Sequence, residues 1–186
     1  MTKDTLRNDM RKRRAASDPG WVLATSRAIV DRVIALPEFV RSEVILAYLS
    51  LPGEVNVDDL LDAAWKAGKR VAVPAARDDG EYMPAWLTPQ ESVRPAGFRV
   101  RQPVAPFWAK PDAYGLVVVP GVAFAANGAR LGHGKGFYDR MLARLGAKVP
   151  CKAGVCFHYQ LVPELPVTES DVGMDIVVTE GKVNRT

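Results

Sequence analysis

Apolar positions along the chain follow two periods. Val22, Ile29, Val33 and Leu36 recur at near-helical spacing, which predicts a helix over residues 21–36. Pro37 ends that helix or kinks it. Residues 3–16 read as an earlier, polar and basic helix, closed by the turn Ser17-Asp18-Pro19-Gly20. By contrast Val44, Ile45, Leu46 and Ala47 are consecutive, so residues 43–50 read as a buried strand. A helix over 57–67, stopped at Gly68, and a strand over 69–74 follow. Strand, helix, strand in that order predicts parallel pairing through a right-handed crossover. Residues 76–113 are irregular and rich in proline, with an added strand at 82–87. A central strand at 116–119, a helix at 137–145 and strands at 153–157 and 174–178 complete the pattern. The chain has no repeats, low-complexity tracts or linkers, so one α/β domain with a mostly parallel sheet is expected over 1–186.

Composition narrows the classes. A hydrophobic share of 48% and a charged share of 25% are ordinary globular values. No apolar run approaches the roughly 20 residues of a spanning helix, and no signal peptide is visible, so a cytoplasmic protein is expected. The net charge of +4 suits an anionic small molecule without demanding nucleic acid. Cys151 and Cys156 match no redox or zinc spacing and read as buried thiols. His133 and His158 lack the partners of a zinc site.

The chemistry concentrates between residues 117 and 140. An apolar strand ends at Pro120-Gly121, and glycines then alternate at 132, 134 and 136. Alternating glycines let backbone N–H groups approach an anion, and the helix start beyond them adds favourable partial charge. Arg130 and Lys135 add full charges, and Asp139 offers a hard oxygen to a divalent ion. The physical reading is a polyphosphate site with its metal; the bland one is a strand-to-helix turn. The loop is not a Walker loop, because residue 129 is alanine and residue 136 is glycine. Nor is it the dinucleotide fingerprint, which needs glycine where Phe137 stands. Elsewhere, Lys3 and Arg7 share one face of the first helix, and Arg14 lies near that face two turns on. Alone, this is a solvated basic helix or a nucleic-acid patch. Glu54, after a strand and a Pro-Gly turn, is either a ligand-binding carboxylate or an acid favouring the next helix's dipole.

The run Pro120-Gly121-Val122-Ala123-Phe124 with Gly128, then Arg130-Leu131-Gly132-His133-Gly134-Lys135-Gly136-Phe137-Tyr138-Asp139, resembles the signature of the 5-formyltetrahydrofolate cyclo-ligase family, also called methenyltetrahydrofolate synthetases. Lys3-Asp4-Thr5-Leu6-Arg7, the stretch Tyr48 to Val55, and Asp171 to Glu180 resemble three further family segments in the right order. The resemblance implies a three-layer Rossmann-like fold. It also implies ATP- and magnesium-dependent conversion of 5-formyltetrahydrofolate to 5,10-methenyltetrahydrofolate, by phosphorylation of the formyl oxygen and ring closure. A diverged member acting on another amide, or a non-catalytic ATP-binding module, are the alternatives. Ala125 stands where the family usually has aspartate, and Phe137 replaces a frequent tyrosine.

The same resemblance implies the site. Lys3, Arg7 and Arg14 become ATP ligands with the loop Gly132, His133, Gly134, Lys135, Gly136, Phe137 and Tyr138. Leu49 and Glu54 line the folate pocket, Asp139 and Asp175 hold magnesium, and Arg130 and Lys135 act on the phosphoryl group as it transfers. The expected partners are ATP and the folate, with no nucleic acid and no membrane, and the expected state is a monomer or weak homo-oligomer.

Overall fold

Valines and isoleucines without polar interruption mark strands buried on both faces, and the core is built from them. The computed structural model describes residues 2–95, 101–111 and 113–186. Residues 96–100 and 112, within the proline-rich stretch, lie outside the described residues. Five strands run parallel: β1 (Val44–Leu46), β2 (Arg70–Ala76), β6 (Leu116–Val119), β9 (Lys152–Val155) and β11 (Ile176–Val178). Antiparallel β3 (Tyr82–Leu87) and β12 (Val183–Arg185) close the two edges. The resulting order is β12-β11-β9-β6-β1-β2-β3.

The period of two decides which side chain meets which layer. Ile45, Leu116, Val118, Ile176 and Val178 face one side, with α2 (Pro19–Ile34), α3 (Pro37–Arg41) and α4 (Asp58–Lys66) packed over them. Val44, Leu46, Val117, Val119 and Val177 face the other, under α5 (Phe137–Leu145) and Phe124. The architecture is therefore α/β, three-layered, with a mostly parallel central sheet. Both cysteines are buried thiols, and burial raises that of Cys151 to about 11.

The predicted elements at 82–87, 116–119 and 137–145 match the structure residue for residue. The second helix starts earlier than expected, because Asp18 caps it and Pro19 takes its first position. Pro37 does more than stop that helix: it opens α3, where its missing N–H costs nothing. The first strand is shorter than 43–50, although residues 47–50 remain buried in extended backbone.

Smaller elements carried no sequence signal. An antiparallel pair of β4 (Val93–Pro95) and β5 (Arg101–Pro103) lies in the proline-rich stretch. A second sheet pairs β7 (Ala123–Ala125) with β8 (Arg130–Leu131) and β10 (Leu161–Val162). Helix α1 (Lys3–Ala15) rests on that second sheet: Leu6 and Met10 pack with Val122, Ala123, Ala125 and Leu131.

Phe124 is wholly buried against Gly154 in β9, where an added Cβ would overlap its ring and crowd Met174. Gly154→Ala should therefore destabilise the protein by about 1–3 kcal/mol, the usual range for overpacking a core. Equilibrium denaturant melts check this; an unchanged midpoint would mean that Phe124 has room to move.

Candidate functional site

Helix α1 begins with Thr2, whose side chain accepts the Thr5 amide. Its residues 3, 7, 10 and 14 form one stripe at helical spacing. Met10 of that stripe is buried on the second sheet, so its charged neighbours are aimed along the surface beside it. Lys3 Nζ donates to Asp171 Oδ2 at 2.7 Å. Arg7 Nε donates to the Gly132 carbonyl at 3.0 Å, and its Nη1 pairs with Asp4. The first helix thus folds back over the glycine loop, as the phosphate reading requires.

The loop itself is backbone. Gly134 and Gly136 have φ of 97° and 64°, a conformation that L side chains rarely adopt. Gly136 is the N-cap of α5 and supplies no side-chain cap. The first amides of α5 are left to an incoming acceptor or to water. Beneath the loop Arg130 is 7% exposed. Its Nη2 pairs with Asp139 Oδ1 at 2.7 Å, and its Nε has no hydrogen-bond partner. The Val172 amide also donates to Asp139 Oδ1.

These groups line one cavity of about 370 Å³. Lys3 and Arg130 line it in ion pairs with Asp171 and Asp139, and Arg7 and Arg140 line it while paired with Asp4 and Glu81. The cations on the lining, the loop amides and two hard oxygens suit a polyphosphate with a divalent ion. Burial raises the Asp171 carboxyl. Hydrogen bonds from Lys3 and Thr168 more than offset this, so it lies below the usual aspartate value.

Two of the expected residues lie off the lining of the cavity. Asp175 is not on the lining to which Asp139 contributes. It stands just before β11, and its Oδ2 accepts both the backbone N–H and the Nζ of Lys152, each at 2.7 Å. Lys152 opens β9, so this cluster marks the amino ends of two parallel strands. The carboxylate that reaches the cavity is Asp171, four residues earlier in the same segment. Nothing local in the sequence separated Asp171 from Asp175. Arg14 is also away from the cavity. Its Nε and Nη2 donate to the Pro52 carbonyl, and its Nη1 lies 3.3 Å from Glu54 Oε1.

Glu54 is the centre of a second cluster, beyond the carboxyl end of β1. Its Oε2 accepts the Leu51 amide at 3.0 Å, and His133 Nε2 lies 3.5 Å from its Oε1. Leu49 is buried on the run leading there. Burial, and then the charge of Glu54, push the Tyr138 phenol well above its ordinary value. Tyr138 also lies under the Arg130 guanidinium, 5.7 Å from the ring centre, and so stands between the two clusters. His133, Lys135, Phe137 and Tyr138 do not line the cavity. Lys135 gives its carbonyl to Arg140, and Phe137 packs on Tyr82 with ring centres 4.6 Å apart.

Comparison with known proteins bears on the family and the fold. A family model described as the 5-formyltetrahydrofolate cyclo-ligase family matches residues 1–180. The 5-formyltetrahydrofolate cyclo-ligase of Escherichia coli K12 is 30% identical over 182 residues, covering 94% of this chain and 98% of that one. The Mycolicibacterium smegmatis protein of the same name is 34% identical over 148 residues, covering 73% and 72%. The structure of Aquifex aeolicus 5,10-methenyltetrahydrofolate synthetase superposes with a TM-score of 0.83 at 30% identity, covering all of this chain and 93% of that one.

The Lys3–Asp171 pair has a testable signature. A depressed carboxyl contributes stability that is present above its unfolded value, 3.8, and is lost as pH falls through the folded value. Lys3→Met should cost up to about 1 kcal/mol near neutral pH, since the pair is partly solvated. The gap from wild type should narrow progressively in melts taken from neutral pH down into acid. A gap that persists in acid would assign the loss to packing.

Proposed function

The chain belongs to the 5-formyltetrahydrofolate cyclo-ligase family, and from that premise we propose that it uses ATP and a divalent cation, magnesium, to close 5-formyltetrahydrofolate into 5,10-methenyltetrahydrofolate. The observation that carries this reading is the single cavity where Lys3, Arg7 and Arg130 meet Asp139 and Asp171 beside the glycine loop. The whole of residues 1–186 acts as one catalytic domain, a cytoplasmic monomer or weak homo-oligomer.

Lys3 and Arg7 bind the polyphosphate from above. The amides of Gly132, Gly134 and Gly136 and the start of α5 receive it from below. Arg130, buried and with Nε free to donate, supplies fixed positive charge where the γ-phosphoryl group transfers. Lys135, exposed on the loop between the two positive-φ glycines, is the further cation of that segment. Asp139 and Asp171 would hold the metal. Two carboxylates completed by water and substrate phosphates are an ordinary magnesium shell, and the donor set here fits it. When bound, the ion neutralises phosphate charge and fixes the polyphosphate's orientation.

The formyl oxygen of the substrate attacks the γ-phosphorus and ADP leaves. That oxygen, a poor leaving group before, is now part of a phosphate ester. N10 attacks the activated carbon, N10 loses its proton, and the C–O bond breaks to release phosphate carrying the former formyl oxygen. The enzyme supplies no nucleophile. Its contribution is to hold the two substrates in line and to stabilise charge on the transferring group. Glu54 and Leu49 line the pterin side, where a carboxylate suits the donor-rich edge of the reduced ring.

Protein mixed with 5-formyltetrahydrofolate and Mg-ATP should generate the near-ultraviolet band of the methenyl product, and excess chelator should abolish it. Equal turnover with and without chelator would end the metal-phosphate reading. Asp139→Asn and Asp171→Asn should each cut turnover at least about a hundredfold if they hold one ion, and the double variant far less than the product of the two losses. Both should also reduce the magnesium-induced rise in melting temperature measured with ATP. Asp175→Asn should lower stability but leave that rise intact. A normal rise in the Asp171 variant with a lost one in the Asp175 variant would restore the sequence-based metal pair.

A further inference from the structure

We propose that Arg14 is a positioning residue for the folate, acting through Glu54, and not a ligand of ATP. The inference rests on the proposed reading of Glu54 as a folate-binding carboxylate. Arg14 shares a helical stripe with Lys3 and Arg7, but 11 residues of helix carry it about 16 Å from Lys3. That distance takes it past the phosphate cavity, whose lining does not include it.

At its end of the helix the guanidinium fork is fully engaged on one turn. Nε and Nη2 straddle the Pro52 carbonyl, and Nη1 reaches Glu54 Oε1. The Glu54 side chain is 11% exposed, and its other oxygen is held by the Leu51 amide. The carboxylate is thereby fixed in orientation. A ligand arriving at it meets one defined face instead of a rotating group. The turn is shaped around Arg14: Gly53 has φ of 74°, and a Cβ there would overlap the Arg14 stem. Lysine could not reproduce this hold, because a point charge cannot grip a carbonyl and a carboxylate in one plane.

The second approach to Glu54 comes from His133, on the glycine loop. Glu54 is therefore gripped by the two elements that border the phosphate cavity, α1 and the loop. Nucleotide occupancy and the orientation of the folate carboxylate share the same supports.

The test is a cycle of Arg14→Gln, Glu54→Gln and the double variant, in steady state with the product band as readout. Arg14→Gln should raise the KM for 5-formyltetrahydrofolate roughly tenfold, the scale of one charge-assisted hydrogen bond. The KM for ATP should stay within about twofold, because no phosphate contact is lost. The double variant should match Glu54→Gln alone, as expected when one residue acts only through the other. Arg14→Lys keeps charge and stem, and should restore only part of the folate KM; it also serves if Arg14→Gln melts too low to assay.

A raised KM for ATP with folate unaffected would make Arg14 a phosphate ligand and overturn the proposal. Multiplicative losses in the double variant would overturn it too, because Arg14 would then act independently of Glu54. A silent Arg14→Gln beside a folate-defective Glu54→Gln would sink this inference alone. A silent Glu54→Gln would remove both the inference and the folate assignment beneath it.

Discussion

Two side chains, Leu6 and Met10, decide where the charge of the first helix goes. They bury against Val122, Ala123, Ala125 and Leu131 on the small second sheet. Each buried side chain of this size contributes about 1.5–3 kcal/mol relative to exposure. That contact is enough to dock a helix whose remaining surface is almost all polar. Once it is docked, Lys3 and Arg7 have no choice but to overhang the glycine loop, and Arg14 falls on the turn at Pro52. Without it α1 would be a free basic helix, and the cavity would lose one wall. Ala125 lies fully buried in this contact and adds to the docking surface.

What α1 closes over is a cavity lined by charged groups with one buried donor left unanswered. Arg130 is buried with one N–H unanswered, although its Nη2 is paired with Asp139. Such an arrangement is costly until an anion arrives. The ion pairs Lys3–Asp171 and Arg130–Asp139 reduce the cost in the meantime. They also keep both carboxylates at the cavity wall, where a cation arriving with a polyphosphate would find them. Preorganised charge of this kind is what phosphoryl transfer requires, since positioning and charge stabilisation supply most of the rate.

Much of this was legible in the sequence, for identifiable reasons. The central strands show as uninterrupted apolar runs because both sheet faces are covered. The glycine loop shows because backbone approach and positive φ need glycine. The second sheet did not show: two- and three-residue strands such as β8 and β10 are too short to establish a period. Asp171 and Asp175 are four residues apart, and spacing alone gives no reason to prefer either. Only the fold reveals that Lys152, from a strand 23 residues upstream, has already engaged the second. Arg14 failed for a related reason. A helical stripe fixes direction, but not how far along the partner surface each member lands.

The most direct test of the account is hydrogen exchange on the intact protein with Mg-ATP and no folate. Amides of the glycine loop from Gly132 through Phe137, together with those of α1, should slow. Loop amides would bond to phosphate, and the helix would be held by Lys3 and Arg7. The edge around Arg70 and Trp86, which takes no part in the site, should be unchanged. Unaltered exchange in the loop and in α1, with protection elsewhere, would contradict the claim that this helix and this loop together form the nucleotide site.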